Sequence, residues 1–451
     1  MKRIALPAAL AAAVMALAGP VAFASAEGPA ASSAAAKKKT TKKKTTKKKT
    51  TKKKTTKAKA LLVCRRGCPY SSIQKAVDAA KPGATVRIKP GTYTEGVTVK
   101  DTQDKLKIVG LGTKPEEVVL EGKGAKRADG NPAQNGIFVD GADGVEMRNI
   151  TAQNFPANGF FVRNCDDYVM DHLVAGFNRA YGLYAFNCIG GRMTYSVGYG
   201  HGDSAFYIGQ TPVQEKPKQS LISHSEAYEN VLGYSGTNSK YVTIQQSEFY
   251  NNGAGVAPNT LQSEKFPPAL DGKVTDNLIY WNNFNYFKAD SKVKALPAAT
   301  GGFNYPMGVG VVLFGTTNWD VRANLVFGNF KWGIMSVSDP TYEPATNKNN
   351  KVRYNVMGAA FDDANGTDIW TEGTGSGNCW ENNSAGATYD PGSQPEALLY
   401  PKCNNPVNNG DVVQIAEVAE YLTQSEGQEN SWKKHPHPPR PDRKPIDGQG
   451  G

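Results

Sequence analysis

The chain has 451 residues and a formal net charge of +11, from 52 Lys and Arg against 41 Asp and Glu. The excess lies ahead of Leu61, since positions 61–451 sum to −4, so the folded part offers no general basic surface for nucleic acid. Helical architectures are disfavoured too: 47 Gly and 27 Pro break the sequence into short runs of Val, Ile, Phe and Tyr, which is strand and turn chemistry.

Residues 1–26 combine Lys2 and Arg3, an apolar run from Ile4 to Phe23 and the small ending Ala24-Ser25-Ala26. This pattern predicts a signal peptide, and with it a secreted or envelope-associated protein. Residues 27–60 hold KKKTT four times over in positions 37–56, and with Lys57 and Lys59 the tract carries 14 lysines. Like charges at this density repel and bury no core, so a disordered tail is expected. Its natural partner is an anionic cell-wall polymer, another polyanion or a membrane surface. Without interleaved aromatics it is a poor nucleic-acid binder.

The folded part is expected to span 61–410. Ser71-Ser72-Ile73-Gln74 reads as a capping box, and Ile73, Ala76, Val77 and Ala80 follow at helical spacing up to Pro82-Gly83. A helix there would plug the open end of a stack of strands, which otherwise exposes core and strand edge. Thr85 to Lys89, Gly96 to Val99, Leu106 to Val109 and Val118 to Leu120 are the first expected strands, with a turn at Lys89-Pro90-Gly91-Thr92-Tyr93.

From Gly136 the chain repeats. Gly136-Ile137, Gly159-Phe160, Gly182-Leu183 and Ala205-Phe206 recur with a period of 23, and the unit returns, stretched, at Gly233-Tyr234, Gly255-Val256, Gly310-Val311 and Gly333-Ile334. A unit too short to enclose a core, repeated at this period, predicts a solenoid. Its strand chemistry makes it a parallel β-helix with three short strands per coil and coils about 4.8 Å apart. Ile150, Leu173, Ser196, Ser225, Ser247, Asn277, Asn324 and Asn355 form one column. Asn178, His201, Asn230, Asn252, Asn282 and Asn329 lie five residues after six of them, which predicts a turn with an amide ladder. Ala152, Ala175, Gly198, Ala227, Phe249, Ile279, Val326 and Met357, two residues after the column, are expected to point inward.

The stretch SSIQKAVDAAKPGATVRIKPGTYTEGVTV, followed by G-x-x-V units with Asn turns, resembles the N-terminus and repeats of right-handed parallel β-helix proteins of the pectin-lyase-like superfamily, over about residues 68–385. The resemblance implies the fold. It leaves the activity open among polysaccharide lyases, glycoside hydrolases, epimerases, accessory proteins and binding proteins. The segment Gly202 to Gln210, GDSAFYIGQ, resembles a recurrent piece of bacterial members.

Six cysteines in an exported chain favour three bridges over a metal site. Cys165 and Cys188 are one repeat and hence one coil apart, Cys64 and Cys68 flank a tight turn, and Cys379 can reach Cys403. Insertions interrupt the repeats near 211–219, 257–272, 284–307 and 338–350. Three of them leave from the same turn, so they are expected to wall a groove on one edge.

One outward column carries Tyr199, Tyr228, Tyr250, Tyr280 and Phe327 on consecutive coils. It reads either as a ladder that stabilises the sheet or as a substrate-binding platform for sugar rings. Beside it stand His172, His224, Glu226, Glu248 and Asp276. Glu226 and Glu248 share a column about 4.8 Å apart, so like charge raises at least one pKa, as a general acid requires. Solvated or salt-bridged carboxylates are the bland alternative, and Val174, Val197, Leu278 and Leu325 in the same column argue for a covered surface. The runner-up catalytic pair is His201 and Asp203. His201-Gly202 resembles a His-Gly pair of polygalacturonase-type hydrolases, although its partner motifs are missing and the turn ladder gives His201 a structural task. Asp166-Asp167 and Asp362-Asp363 could ligate calcium as in lyases, but paired aspartates are common in turns. His172 and His224 stand two coils apart, too far to share a metal.

Asp411 to Thr423 has the apolar spacing of an amphipathic helix, assigned to 411–426, and 427–451 reads as a disordered Pro-rich tail. The function read from these features is recognition of polysaccharide or envelope glycan by a tethered β-helix. The alternative is a lyase or hydrolase working in a groove, with a periplasmic metal-maturation accessory role as a more distant variant. No cofactor is expected beyond the calcium option.

Overall fold

The computed structural model describes residues 61–287, 291–297, 304–358, 364–384, 387–389, 399–408 and the positions Val418 and Tyr421. The expected signal peptide, the lysine tail, Asp362-Asp363, most of the C-terminal helix and the Pro-rich tail lie outside these residues. Strands of successive coils pair in parallel throughout, forming a ten-stranded sheet and a twenty-stranded sheet that bends through a corner. The expected three-sided coil results.

The register follows the repeat. Ile137 pairs with Phe160, Phe160 with Leu183, Leu183 with Phe206, and Phe206 with Tyr234, and the series runs on through Val256, Val311 and Ile334. All eight side chains are fully buried. The column two residues past the corner points inward as well, from Ala152 and Ala175 to Ile279 and Val326. A period-2 strand with one face buried cannot slip by one residue without turning this whole set to solvent.

The first corner recurs because one residue per coil takes a left-handed backbone there. Asn149, His172, Tyr195, His224, Gln246, Asp276, Ala323 and Tyr354, each immediately before the first column, have φ between 47° and 57°. Asn is at ease there, whereas a bulky residue bears strain that the stack must hold. Amide ladders supply that hold. At the second corner Asn230 donates to Asn252 at 2.9 Å, Asn252 to Asn282 at 3.0 Å, Asn282 to Asn329 at 3.1 Å and Asn329 to Asn365 at 2.8 Å. A second ladder, Asn277 to Asn324 to Asn355 to Asn383, runs along the first corner, and Ser196, Ser225 and Ser247 continue it towards the N-terminus.

The N-terminal helix is shorter than its periodicity suggests, Ile73–Asp78, and its N-cap is Ser72 where the capping box pointed to Ser71. The reason is Glu95. Its carboxylate accepts from the Ser72 hydroxyl and from the backbone N–H of Ile73 and Gln74, covering the helix start from a neighbouring coil. Gln74 is thereby free to bond the backbone of Thr98 in the first coil. Gly91–Tyr93, expected as a turn, is a strand paired with Val118–Glu121.

Two bridges form as expected, Cys64–Cys68 and Cys379–Cys403. The third does not. Cys165 and Cys188 sit one coil apart as the repeat requires, but both are buried thiols in contact with one another, and the Cys188 thiol is directed at the Phe186 carbonyl. Stacking in register brings the two thiols into contact without joining them.

Candidate active site in the cleft on the ten-stranded sheet

The expected outward ladder exists. Tyr199, Tyr228, Tyr250, Tyr280 and Phe327 stack at 5.2, 5.4, 5.3 and 4.8 Å between centroids, within 21° of parallel. This geometry uses the ring faces on each other, because rings stacked along the rod turn their edges outward. Tyr250 and Tyr280 are also buried. The column therefore offers a sugar no open face between Tyr199 and Phe327, and it works as sheet packing.

Glu226 and Glu248 are in register on adjacent strands, as expected. Each accepts from the tyrosine of the following coil: Tyr250 donates to Glu226, and Tyr280 to Glu248 at 3.2 Å. Glu226 is buried. His224 and Asp276 stand at the corner position, not on the strands carrying these glutamates. His224 stacks on Tyr195, which stacks on His172, at 4.8 and 5.0 Å, and Asp276 accepts from Thr275. Asp166 and Asp167 face Lys218 at 3.7 and 2.8 Å, an ion pair where calcium had been an option. Among the described residues no cluster of His, Cys, Asp and Glu has the grouping of a metal site.

His201 and Asp203 part company. His201 is fully buried inside the turn ladder, where its N–H donates to Asn230 and its Nδ1 meets the Asn178 carbonyl at 3.1 Å. Burial lowers its pKa to about 4, so the ring is neutral. Asp203, two residues on, opens the strand Ser204–Gly209 and faces the outer side of the ten-stranded sheet.

That side holds a cleft of about 490 Å³. Its floor is the outward column of successive strands, including Tyr184, Tyr207, Val312 and Met335. Its walls come from two of the four insertions, 257–272 and the described parts of the second, 291–297 and 304–307. They leave from opposite ends of the sheet, so the groove crosses a face; the expectation of a groove along one edge is corrected. Leu296 donates its backbone N–H to Gly202 at 2.7 Å and Arg179 bonds the Lys294 carbonyl at 2.8 Å, pinning one wall beside Asp203. The other wall is held by Asn238, which bonds the backbone of Leu261 and Glu264, and by buried Lys240, which donates to the carbonyls of Phe266 and Pro268.

Two carboxyls look into this cleft. Asp203 Oδ2 accepts from Tyr305 at 2.7 Å and Tyr181 at 3.0 Å, while its buried Oδ1 has no hydrogen-bond donor of normal geometry. Burial raises its pKa to about 6 against the opposing pull of the hydroxyls. Glu264 accepts from Tyr207, and its Oε2 is buried without a partner. Burial foremost, with Asp203's charge added, raises its pKa to about 8. Burial holds the phenols of Tyr181, Tyr184, Tyr207 and Tyr305 well above their ordinary range, so they remain donors.

Of this constellation the sequence reading had only Asp203. Tyr184 and Tyr207 were legible in principle, because Phe138, Phe161, Tyr184 and Tyr207 recur once per repeat, directly after the buried openers. Phe138, Phe161 and Tyr184 stack at 5.0 and 4.4 Å, and the ladder breaks at Tyr207, whose ring stands at 88° to Tyr184. Glu264 and Tyr305 lie in insertions, where no period points to them.

No protein-family model matches the chain, and no curated protein matches it. Among solved structures it is similar to the A-module of the mannuronan C-5 epimerase AlgE4 of Azotobacter vinelandii, at 16% identity over 74% of this chain and 95% of that one, with a TM-score of 0.49. It is also similar to the pectate lyase Pel9A, at 13% identity over 72% and 74% of the two chains with a TM-score of 0.35. For the periplasmic alginate epimerase AlgG the values are 12%, 68%, 79% and 0.38. Likeness at this level concerns the fold and not the reaction. No helix among the described residues is long and apolar enough to cross a membrane. In architecture the chain is a parallel β-helix, its strands paired in register from coil to coil.

Proposed function

We propose that the protein binds a glycan in the cleft and acts on it by proton transfer, with Asp203 as base and Glu264 as acid. The observation that carries this reading is the pair itself: two carboxyls in one cleft whose surroundings separate their pKa values to about 6 and about 8. Near neutrality the first is mostly ionised and the second mostly protonated. An epimerase needs a base for a C–H proton and an acid to return one to the opposite face, and a lyase needs the same base and an acid for the leaving oxygen. A hydrolase needs an acid for the leaving oxygen and a base for water. The half-buried rings of Tyr184, Phe186 and Tyr305 supply surface for sugar C–H faces. The sequence resemblance to a superfamily rich in polysaccharide lyases, hydrolases and epimerases agrees with a glycan partner.

A second reading, recognition without turnover, is favoured by one observation. The two tyrosine hydrogen bonds on Asp203 stabilise its ionised form and suit a carboxylate that only holds a sugar hydroxyl. Incubation with neutral and acidic polysaccharides, followed by reducing ends and by absorbance of unsaturated products, separates the two. Turnover abolished by Asp203→Asn and by Glu264→Gln supports the enzyme. Calorimetric binding without either product, lost in Asp203→Asn, supports recognition alone, and no binding to any glycan rejects both.

Export and a lysine tether complete the proposal, on the strength of residues 1–26 and 27–60. Salt-sensitive retention on anionic wall polymer should vanish when 27–60 is deleted. Retention that survives the deletion would remove the tether.

A further inference from the structure

The cleft has two chemically different ends. Towards Asp203 and Glu264 it presents carboxyls and phenols, with Leu296 on the wall beside Asp203, and towards the later coils it presents half-buried Leu261 and Phe314 over the buried Val312 and Met335. Asp203 Oδ1 and Glu264 Oε2 are both buried without a hydrogen-bond partner of normal geometry, the first placed to accept as a carboxylate and the second to donate as an acid. A polar atom left unpaired in an apolar site is costly, so the polar end suits a ligand whose hydroxyls both donate and accept. The apolar end suits a ligand group that carries none. Among the described residues lining the cleft there is no Lys, Arg or His, whereas two carboxyls are present. A uronate unit would bring its carboxylate against the ionised Asp203 with no lining cation to offset it, and like charges at a buried carboxyl repel strongly.

We infer that the ligand of this cleft is an uncharged glycoside bearing an apolar substituent, with its sugar hydroxyls at Asp203 and Glu264 and its alkyl, acyl or aryl group over Leu261 and Phe314. The inference rests on the proposed function, because it names the substrate class for the same site. It differs from a polyuronate site in the sign of the charge it tolerates, and from a plain sugar site in the use it makes of the aliphatic end.

Calorimetric titration of the full chain with n-octyl glucoside and n-octyl galactoside below their micelle concentrations, with the matching methyl glycosides and with trigalacturonate, tests this. An octyl glycoside should bind at least tenfold more tightly than its methyl counterpart, since burying about two methylenes already gives that factor. Trigalacturonate should bind more weakly than either octyl glycoside. The ratio of octyl to methyl glycoside affinity should shrink in Leu261→Gln and in Phe314→Gln, with thermal melting reporting on folding. Equal affinity for octyl and methyl glycosides, or tighter binding of trigalacturonate, overturns this inference and leaves the glycan cleft standing. Binding of 1-octanol as tight as that of the octyl glycosides overturns the glycoside part, and silence towards every sugar removes the proposed function with it.

Discussion

The hydroxyl of Tyr305 donates a 2.7 Å hydrogen bond to Oδ2 of Asp203, which lies far earlier in the chain. The bond joins an irregular insertion to a regular strand, and it favours the ionised carboxylate that burial alone would disfavour. The chemistry of the cleft therefore depends on where the insertions close over the sheet.

The separated carboxyls predict a bell-shaped dependence of kcat/KM on pH. Its acidic limb falls near 6, where Asp203 takes up a proton, and its alkaline limb near 8, where Glu264 loses one. Tyr305→Phe removes a donor that lowers the Asp203 pKa, so the acidic limb should move to higher pH with the alkaline limb in place. A profile that keeps both limbs in Tyr305→Phe would separate Asp203 from the reaction.

His201 is buried and neutral, with its pKa depressed from 6.5 to about 4. A depressed histidine contributes stability that is present above the unfolded pKa and lost as pH falls through the folded value. The shift corresponds to about 3 kcal/mol between pH ~6.5 and ~4. The equivalent turn position is Asn178 one coil earlier and Asn230 one coil later. His201→Asn should therefore fold, and its urea midpoint should decline less between pH 7 and pH 4 than that of the parent. Equal declines would place the acid sensitivity elsewhere.

Glu372, fully buried, has the opposite sign. Its Oε1 accepts from the Ser338 N–H and from Thr374, yet burial raises its pKa to about 7. A raised carboxyl contributes stability present below the unfolded pKa and lost as pH rises through the folded one, here on the order of 3 kcal/mol between pH ~4.5 and ~7. Glu372→Gln should flatten that alkaline decline in chemical unfolding.

Asn282 serves both neighbours, donating to Asn329 and to the Phe249 carbonyl and accepting from Asn252. Asn282→Ala leaves buried backbone and amide groups unpaired and should cost about 2–4 kcal/mol in equilibrium unfolding. A cost below about 1 kcal/mol would mean that water replaces the amide.

Cys165 and Cys188 are buried thiols while the other four cysteines are bridged. A thiol reagent should find no reactive group in the folded protein and two per chain after denaturation without reductant. A count of zero would establish a third bridge.

The sequence by itself determined the rod. A constant period with one apolar opener per unit permits a single register, because any slip exposes the whole inward set, and Asn178, Asn230 and Asn282 mark their turn from spacing alone. The same periodicity located Tyr250 and Glu226 on one face but could not say which way a ring turns, and stacking closed that face. Only the tertiary structure decided the cleft. Glu264 and Tyr305 sit in segments with no repeat, and their approach to Asp203 and Tyr207 depends on anchors such as Asn238 and Lys240, whose partners are backbone groups in the insertion itself. Stacking is a local rule copied from coil to coil and is therefore written in the spacing, whereas the path of an insertion is solved once, by contacts that no spacing encodes.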